Sequence, residues 1–256
     1  MRISVIGNSD TTGQKLADRG KSWPVLVQQR LSEELGSDVE VDSWRFAPYR
    51  PNAVDYAMDL VREAQPDIVV YPLATYWCAF TTVKSRVEQR LGQRAGRFAA
   101  RAEAAYVKRF ERTRADEAQS GRGQVVRTTV ARRLARQVVG AAPILSYERY
   151  IAIVAELIRQ LARLEDTQVL VMGDHHFNER ARKTMPQLEA TIARVEAVIR
   201  PLVEERRLLW GSVEDALRAG EDRDSLIMGD CVHVTEEGHE LLAQAMVPLL
   251  AKIARG

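Results

Sequence analysis

An α/β fold with a parallel sheet sandwiched between helices is predicted by three observations. Short β-branched runs alternate with helix-periodic segments along the first 80 residues. The same alternation resumes after residue 146. Every strand-like run is entered from a polar or proline-marked turn, as parallel strands joined by crossover helices require.

Residues 2–6 read as a buried strand, followed by a polar turn containing Gly7 and Gly13. Ser22-Trp23-Pro24 opens a helix to about Leu35, with Ser22 at the N-cap position. Val39-Glu40-Val41 alternates like a strand, and residues 52–64 read as a helix stopped by Pro66. Asp67–Tyr71 forms the third strand. Residues 83–137 change character: rich in Ala and Arg, they predict one or two long basic helices broken near Ser120–Gly123. A helix over Ser146–Leu164 leads into a fourth strand, Thr167–Met172, which ends in Gly173-Asp174-His175-His176. Residues 186–206 are helical, and Leu208-Leu209-Trp210 is a weak fifth strand. The final helix covers 236–254, with Leu241, Leu242, Ala245, Leu249 and Ile253 on its apolar face and Thr235 as N-cap. The sum is a flavodoxin-like three-layer sandwich: one domain over 1–256, with a basic helical insertion at 82–145 after strand three, a lid or a docking arm.

Composition narrows the functional classes. The chain has 256 residues, 46% of them hydrophobic, enough for one sizeable core. Two distant cysteines, Cys78 and Cys231, make neither a disulfide framework nor a zinc pattern. No signal peptide or spanning segment is read, so a cytoplasmic location is expected. Residues 84–136 hold 15 Lys/Arg against 5 Asp/Glu, a local +10, which leaves −8 elsewhere in a chain of net charge +2. Such a segment is either a solvated face or a surface for an anionic partner such as coenzyme A or an acidic carrier protein. Its three aromatics, Phe98, Tyr106 and Phe110, and the lack of a binding motif argue against nucleic acid.

The chemistry sits at the two ends. Gly7-Asn8-Ser9-Asp10-Thr11 follows strand one, and Asp230-Cys231-Val232-His233 precedes the last helix. A serine hydroxyl needs a base to take its proton, and the base needs a third group to fix its tautomer. Ser9, His233 and Asp230 supply these types. Taken alone, the Ser9 turn also reads as an ordinary polar cap.

The opening block resembles the Gly-Asp-Ser block of the SGNH (GDSL-type) hydrolases, with Asn8 in place of the usual aspartate. The closing Asp-x-x-His and the Val-Thr-x-Glu-Gly-His run resemble that family's last block. The resemblance covers roughly residues 1–80 and 205–254. It implies an esterase-like serine hydrolase acting on a small acyl ester or thioester through an acyl-enzyme on Ser9, with His233 as base and Asp230 as orienting acid, and no metal or organic cofactor. An acyltransferase using the same residues, and a non-catalytic binding protein on this scaffold, stay open beside it.

The family draws oxyanion donors from the serine amide, a glycine after strand two and an asparagine after strand three. Here Ser43–Tyr49 contains no glycine, and Pro72–Trp77 contains no asparagine. Arg45, Thr75 and Tyr76 are the substitute donors. Asn8 is expected to hold the turn, and His175 to line the substrate pocket. Adjacent His175 and His176 do not suit one metal ion. His239, on the last helix, is expected to be structural.

Overall fold

The computed structural model describes residues 1–82, 86–87, 90–92, 94, 142–174, 179–217, 225–228 and 232–255. Asp230, Cys231, His175 and His176 lie outside them, as does nearly all of the 82–145 segment. Contacts divide the chain into two compact units, Met1–Ala79 with Tyr147–Gly256, and Phe80–Ser146. In the second unit the described strands are β4 (Thr81–Thr82) and β5 (Ala142–Pro143), paired antiparallel.

The first unit is built on five parallel strands: β1 (Arg2–Gly7), β2 (Glu40–Arg45), β3 (Ile68–Pro72), β6 (Gln168–Gly173) and β7 (Leu209–Ser212). Their order is β2-β1-β3-β6-β7, the flavodoxin-like order expected. The reversal of direction falls between β1 and β3, so the loops leaving these strands flank a crevice at their carboxyl ends. β3 is buried along its whole length, as a central strand covered on both faces must be.

The α-helices described in this unit are α1 (Trp23–Leu35), α2 (Ala53–Ala64), α3 (Tyr76–Ala79), α4 (Tyr147–Leu161), α5 (Glu179–Thr184), α6 (Leu188–Glu205), α7 (Val213–Leu217) and α8 (Glu236–Ala254). α1, α7 and α8 form one layer, whose Val27, Leu31, Leu242, Met246 and Leu250 share a core with Ile3, Val5, Val70 and Leu170 of the sheet. α2, α4 and α6 pack against one another in the other layer. Among the described residues no helix is long and apolar enough to cross a membrane.

Two expectations are corrected, the bounds of strand two and the apolar face of the last helix, and the Ser22 cap is refined. Strand two runs from Glu40 to Arg45, not over Val39–Val41, and pairs with all of β1. It is an edge strand, half-buried along most of its length, so it lacks the apolar alternation that would have marked it. Ser22 occupies the N-cap position of α1, but its side chain makes no capping bond. Instead the Trp23 amide donates to His239 Nδ1 of α8 at 3.2 Å. On α8 the buried face carries Leu242, Ala243, Met246, Leu250 and Ala251, while Ala245 is exposed and Leu241, Leu249 and Ile253 are only partly buried. Thr235 does cap α8, its hydroxyl accepting from the Gly238 amide at 3.3 Å.

The glycine that closes β1 is sterically required. A Cβ on Gly7 would collide with Thr11 Oγ1 and lie 2.8 Å from Thr11 Cβ, both fully buried. Gly7→Ala is therefore expected to lower stability by about 1–3 kcal/mol through overpacking, read as a drop in the urea midpoint at unchanged slope.

Candidate active site

The turn after β1 is fixed by short-range bonds. Asn8 Oδ1 accepts from the Asp10 amide at 2.9 Å and from the Thr11 amide at 3.4 Å. This is the side-chain-to-backbone closure that Asn and Asp favour in turns. The Ser9 carbonyl accepts from the Gln14 amide at 3.0 Å and from the Thr12 hydroxyl at 3.2 Å. Ser9 is 5% exposed, and its hydroxyl points to His233, with Oγ and Nε2 2.8 Å apart.

His233 is brought there by a short antiparallel pairing. Ile227 bridges Val234, the Met228 amide donates to the His233 carbonyl at 2.7 Å, and the Thr235 amide donates to Leu226 at 2.9 Å. The Gly-His pair after Thr235 has a packing reason: a Cβ on Gly238 would stand 2.9 Å from the Leu226 carbonyl. Asp10 ties this loop to the serine turn, its Oδ1 accepting from the Val234 amide at 3.1 Å. Asp10 went unassigned in the sequence because any polar residue fits a polar turn. Its burial to 7% exposure is what separates it.

The loop after β3 forms the other wall of the crevice. Its successive amides are taken: Leu73 by the Met172 carbonyl at 2.9 Å, Ala74 by the Tyr150 hydroxyl oxygen at 3.0 Å, and Thr75 by Asp174 Oδ2 at 2.6 Å. The Asp174 amide in turn donates to Glu196 at 3.1 Å. Asp174 is a buried carboxylate rather than the loose polar loop residue its sequence context suggests. Burial, and then the Asp174 charge, push the Cys78 thiol up to about 12. Burial likewise raises the Tyr71 phenol, with Asp174 adding to it. Asp174→Ala would leave the Thr75 amide without its acceptor. It is expected to cost about 1–3 kcal/mol, seen as a lower urea midpoint.

The candidate donors can now be placed. The Thr75 amide is engaged, and its buried hydroxyl has no partner among the described residues. Tyr76 opens α3, stacked on Trp77 with ring centroids 4.5 Å apart. Burial raises its phenol, while the charge of Arg45 pulls the other way. Arg45 also donates to Gln14 Oε1 at 3.0 Å. Loop 46–52, after β2, has no glycine. The Ser9 amide makes no hydrogen bond among the described residues. With Nε2 unprotonated, His233 can accept the Ser9 proton, and the Ser9 amide can face a developing oxyanion. Among the described residues no group of three His, Cys, Asp or Glu could hold a metal ion.

No protein-family model matches the chain, and no curated protein sequence is detectably similar. Solved structures are similar across its whole length. TesA superposes with TM-score 0.56 at 15% identity, covering 98% of each chain. The lipase/acylhydrolase from Enterococcus faecalis gives TM-score 0.57 at 14% identity, covering 98% of this chain and 96% of its own. Axe2, an acetylxylan esterase from Geobacillus stearothermophilus, gives 0.55 at 14%, covering 96% and 92%. This likeness establishes the fold, the one that the resemblance of the two terminal blocks implied.

Proposed function

We propose that this chain is a serine hydrolase of the SGNH type acting on an ester or thioester. The observation that carries the reading is the 2.8 Å contact between Ser9 Oγ and His233 Nε2, made across 224 residues of sequence. The fold supports it, since it is shared with structures named as esterases and an acylhydrolase. His233 takes the hydroxyl proton as Ser9 Oγ attacks the acyl carbonyl carbon. The negative charge on the carbonyl oxygen is met by the Ser9 amide, with Tyr76 and Arg45 as the nearby side-chain donors. The carbonyl reforms, and the alcohol or thiol leaves with the proton held by His233. Water then attacks the acyl-Ser9 ester and gives its proton to His233, which passes it to the departing Ser9 Oγ as the acid is released. Asp230 is assigned the task of orienting the imidazole and stabilising its charged form.

One observation favours a second reading, a binding protein on the same scaffold. The amides of Leu73, Ala74 and Thr75 are all committed elsewhere, so this loop offers few backbone donors to an oxyanion. Labelling with a fluorophosphonate probe separates the two, because the probe needs an activated serine but little substrate recognition. Labelling mapped to Ser9 and lost in His233→Ala supports the hydrolase. An unlabelled, folded protein that also fails to cleave short aryl esters would support the binding protein. Faster ester turnover on adding an alcohol or amine acceptor would identify an acyltransferase.

A further inference from the structure

A second concavity lies at the carboxyl ends of β1 and β2, on the α2 side of the sheet. It has a volume of about 330 Å³, within the range of small-molecule sites. Its walls include Trp44, Phe46, Tyr56 and Leu60, and its rim carries Arg45 and Arg50. Tyr56 is 62% exposed, far more than an aromatic ring needs for packing alone. No Asp or Glu lines the cavity. Among the described residues the Arg50 guanidinium has no carboxylate partner, and Arg45 donates to the neutral side chain of Gln14. An apolar cup with two guanidinium groups and no compensating acid is built for one kind of guest.

We propose that this cavity binds an amphiphilic anion, an apolar chain or ring bearing a carboxylate or a phosphate. The apolar body lies against Trp44, Phe46, Tyr56 and Leu60, where removal from water drives binding. The anionic head meets Arg50 in a charge-assisted, bidentate contact, with Arg45 behind it. The floor of the cavity is continuous with the serine turn. The Phe46 amide donates to the Gly7 carbonyl at 2.6 Å, and Arg45 holds Gln14, whose amide holds the Ser9 carbonyl. No residue of the Ser9 turn lines the cavity, so binding here does not require Ser9 to react.

The test is a titration of the full-length protein with octanoate, phenyl phosphate and neutral 1-octanol, read by tryptophan fluorescence. Saturable quenching by one or both anions, lost in Trp44→Phe, is expected. The two anions distinguish an acyl carboxylate from a phosphate ester as the preferred head. Arg50→Gln, at an exposed position, is expected to weaken anion binding about tenfold or more. Tyr56→Ala is expected to weaken it through the apolar wall. Ser9→Ala is expected to bind as the parent does, so loss of the catalytic reading would leave this one standing. Equal binding of 1-octanol, an unchanged affinity in Arg50→Gln, or no saturation by either anion would overturn the proposal.

Discussion

Replacing Ser9 by Ala is expected to lower kcat/KM for a short aryl ester by about 10⁴-fold or more, and His233→Ala by a similar factor. The double substitution should cost little beyond either single one, because two groups sharing one proton act as a unit. The two side chains are already within hydrogen-bond reach at 2.8 Å, so no rearrangement need precede proton transfer. Ser9 is 5% exposed and sits in a turn closed by Asn8 and by its own carbonyl, so the alanine variant should keep its fold. Initial-rate kinetics with a circular dichroism control decide the matter. A Ser9→Ala protein with parental turnover would remove Ser9 from the chemistry.

The second large effect concerns stability and acid. His239 is 1% exposed, and its pKa is held down to about 4, first by burial and then by the His233 charge, against a smaller pull from Glu236. The folded protein thus keeps His239 neutral, and its Nδ1 accepts the Trp23 amide at 3.2 Å. An unfolded chain binds a proton there near pH 6.5, so between about 6.5 and 4 the unfolded state holds more protons. Stability from this group is complete above pH 6.5, falls as pH falls, and is gone below about 4. The total is about 3 kcal/mol. His239→Asn offers a non-titrating oxygen to the Trp23 amide and should flatten the acid side of the curve relative to the parent. Urea midpoints at pH 7, 5 and 4 for both proteins read this directly, and parallel curves would sink the assignment.

Strands and helices with a strong apolar period were legible in the sequence because their pattern and their burial have one cause. β3 and β6 are buried on both faces and stand out as apolar runs. β2 and β7 are edge strands with half-wet faces, and they were read short or weak. The short helices α3, α5 and α7 contain too few turns to display a period. In the site, the meeting of Ser9 and His233 was legible because each stood in a distinctive frame. Asp10 and Asp174 were not. A carboxylate in a polar turn looks the same whether it faces water or holds a buried amide. Only the fold, by closing over it, gives it a task. The His239 contact was likewise hidden, since Ser22 offers the expected cap in sequence and α8 supplies the real one from 216 residues away.

The separation of 224 positions from Ser9 to His233 is also an interval of time. At roughly 5–20 residues per second, a ribosome completes the serine turn about ten to forty-five seconds before the imidazole is polymerised. Throughout that interval no imidazole stands beside the hydroxyl. The contact between Ser9 and His233 forms only when the His233 loop seats on Asp10 and α8 settles against α1. On the proposed reading, a nascent or prematurely terminated chain lacks the base that the serine hydroxyl needs.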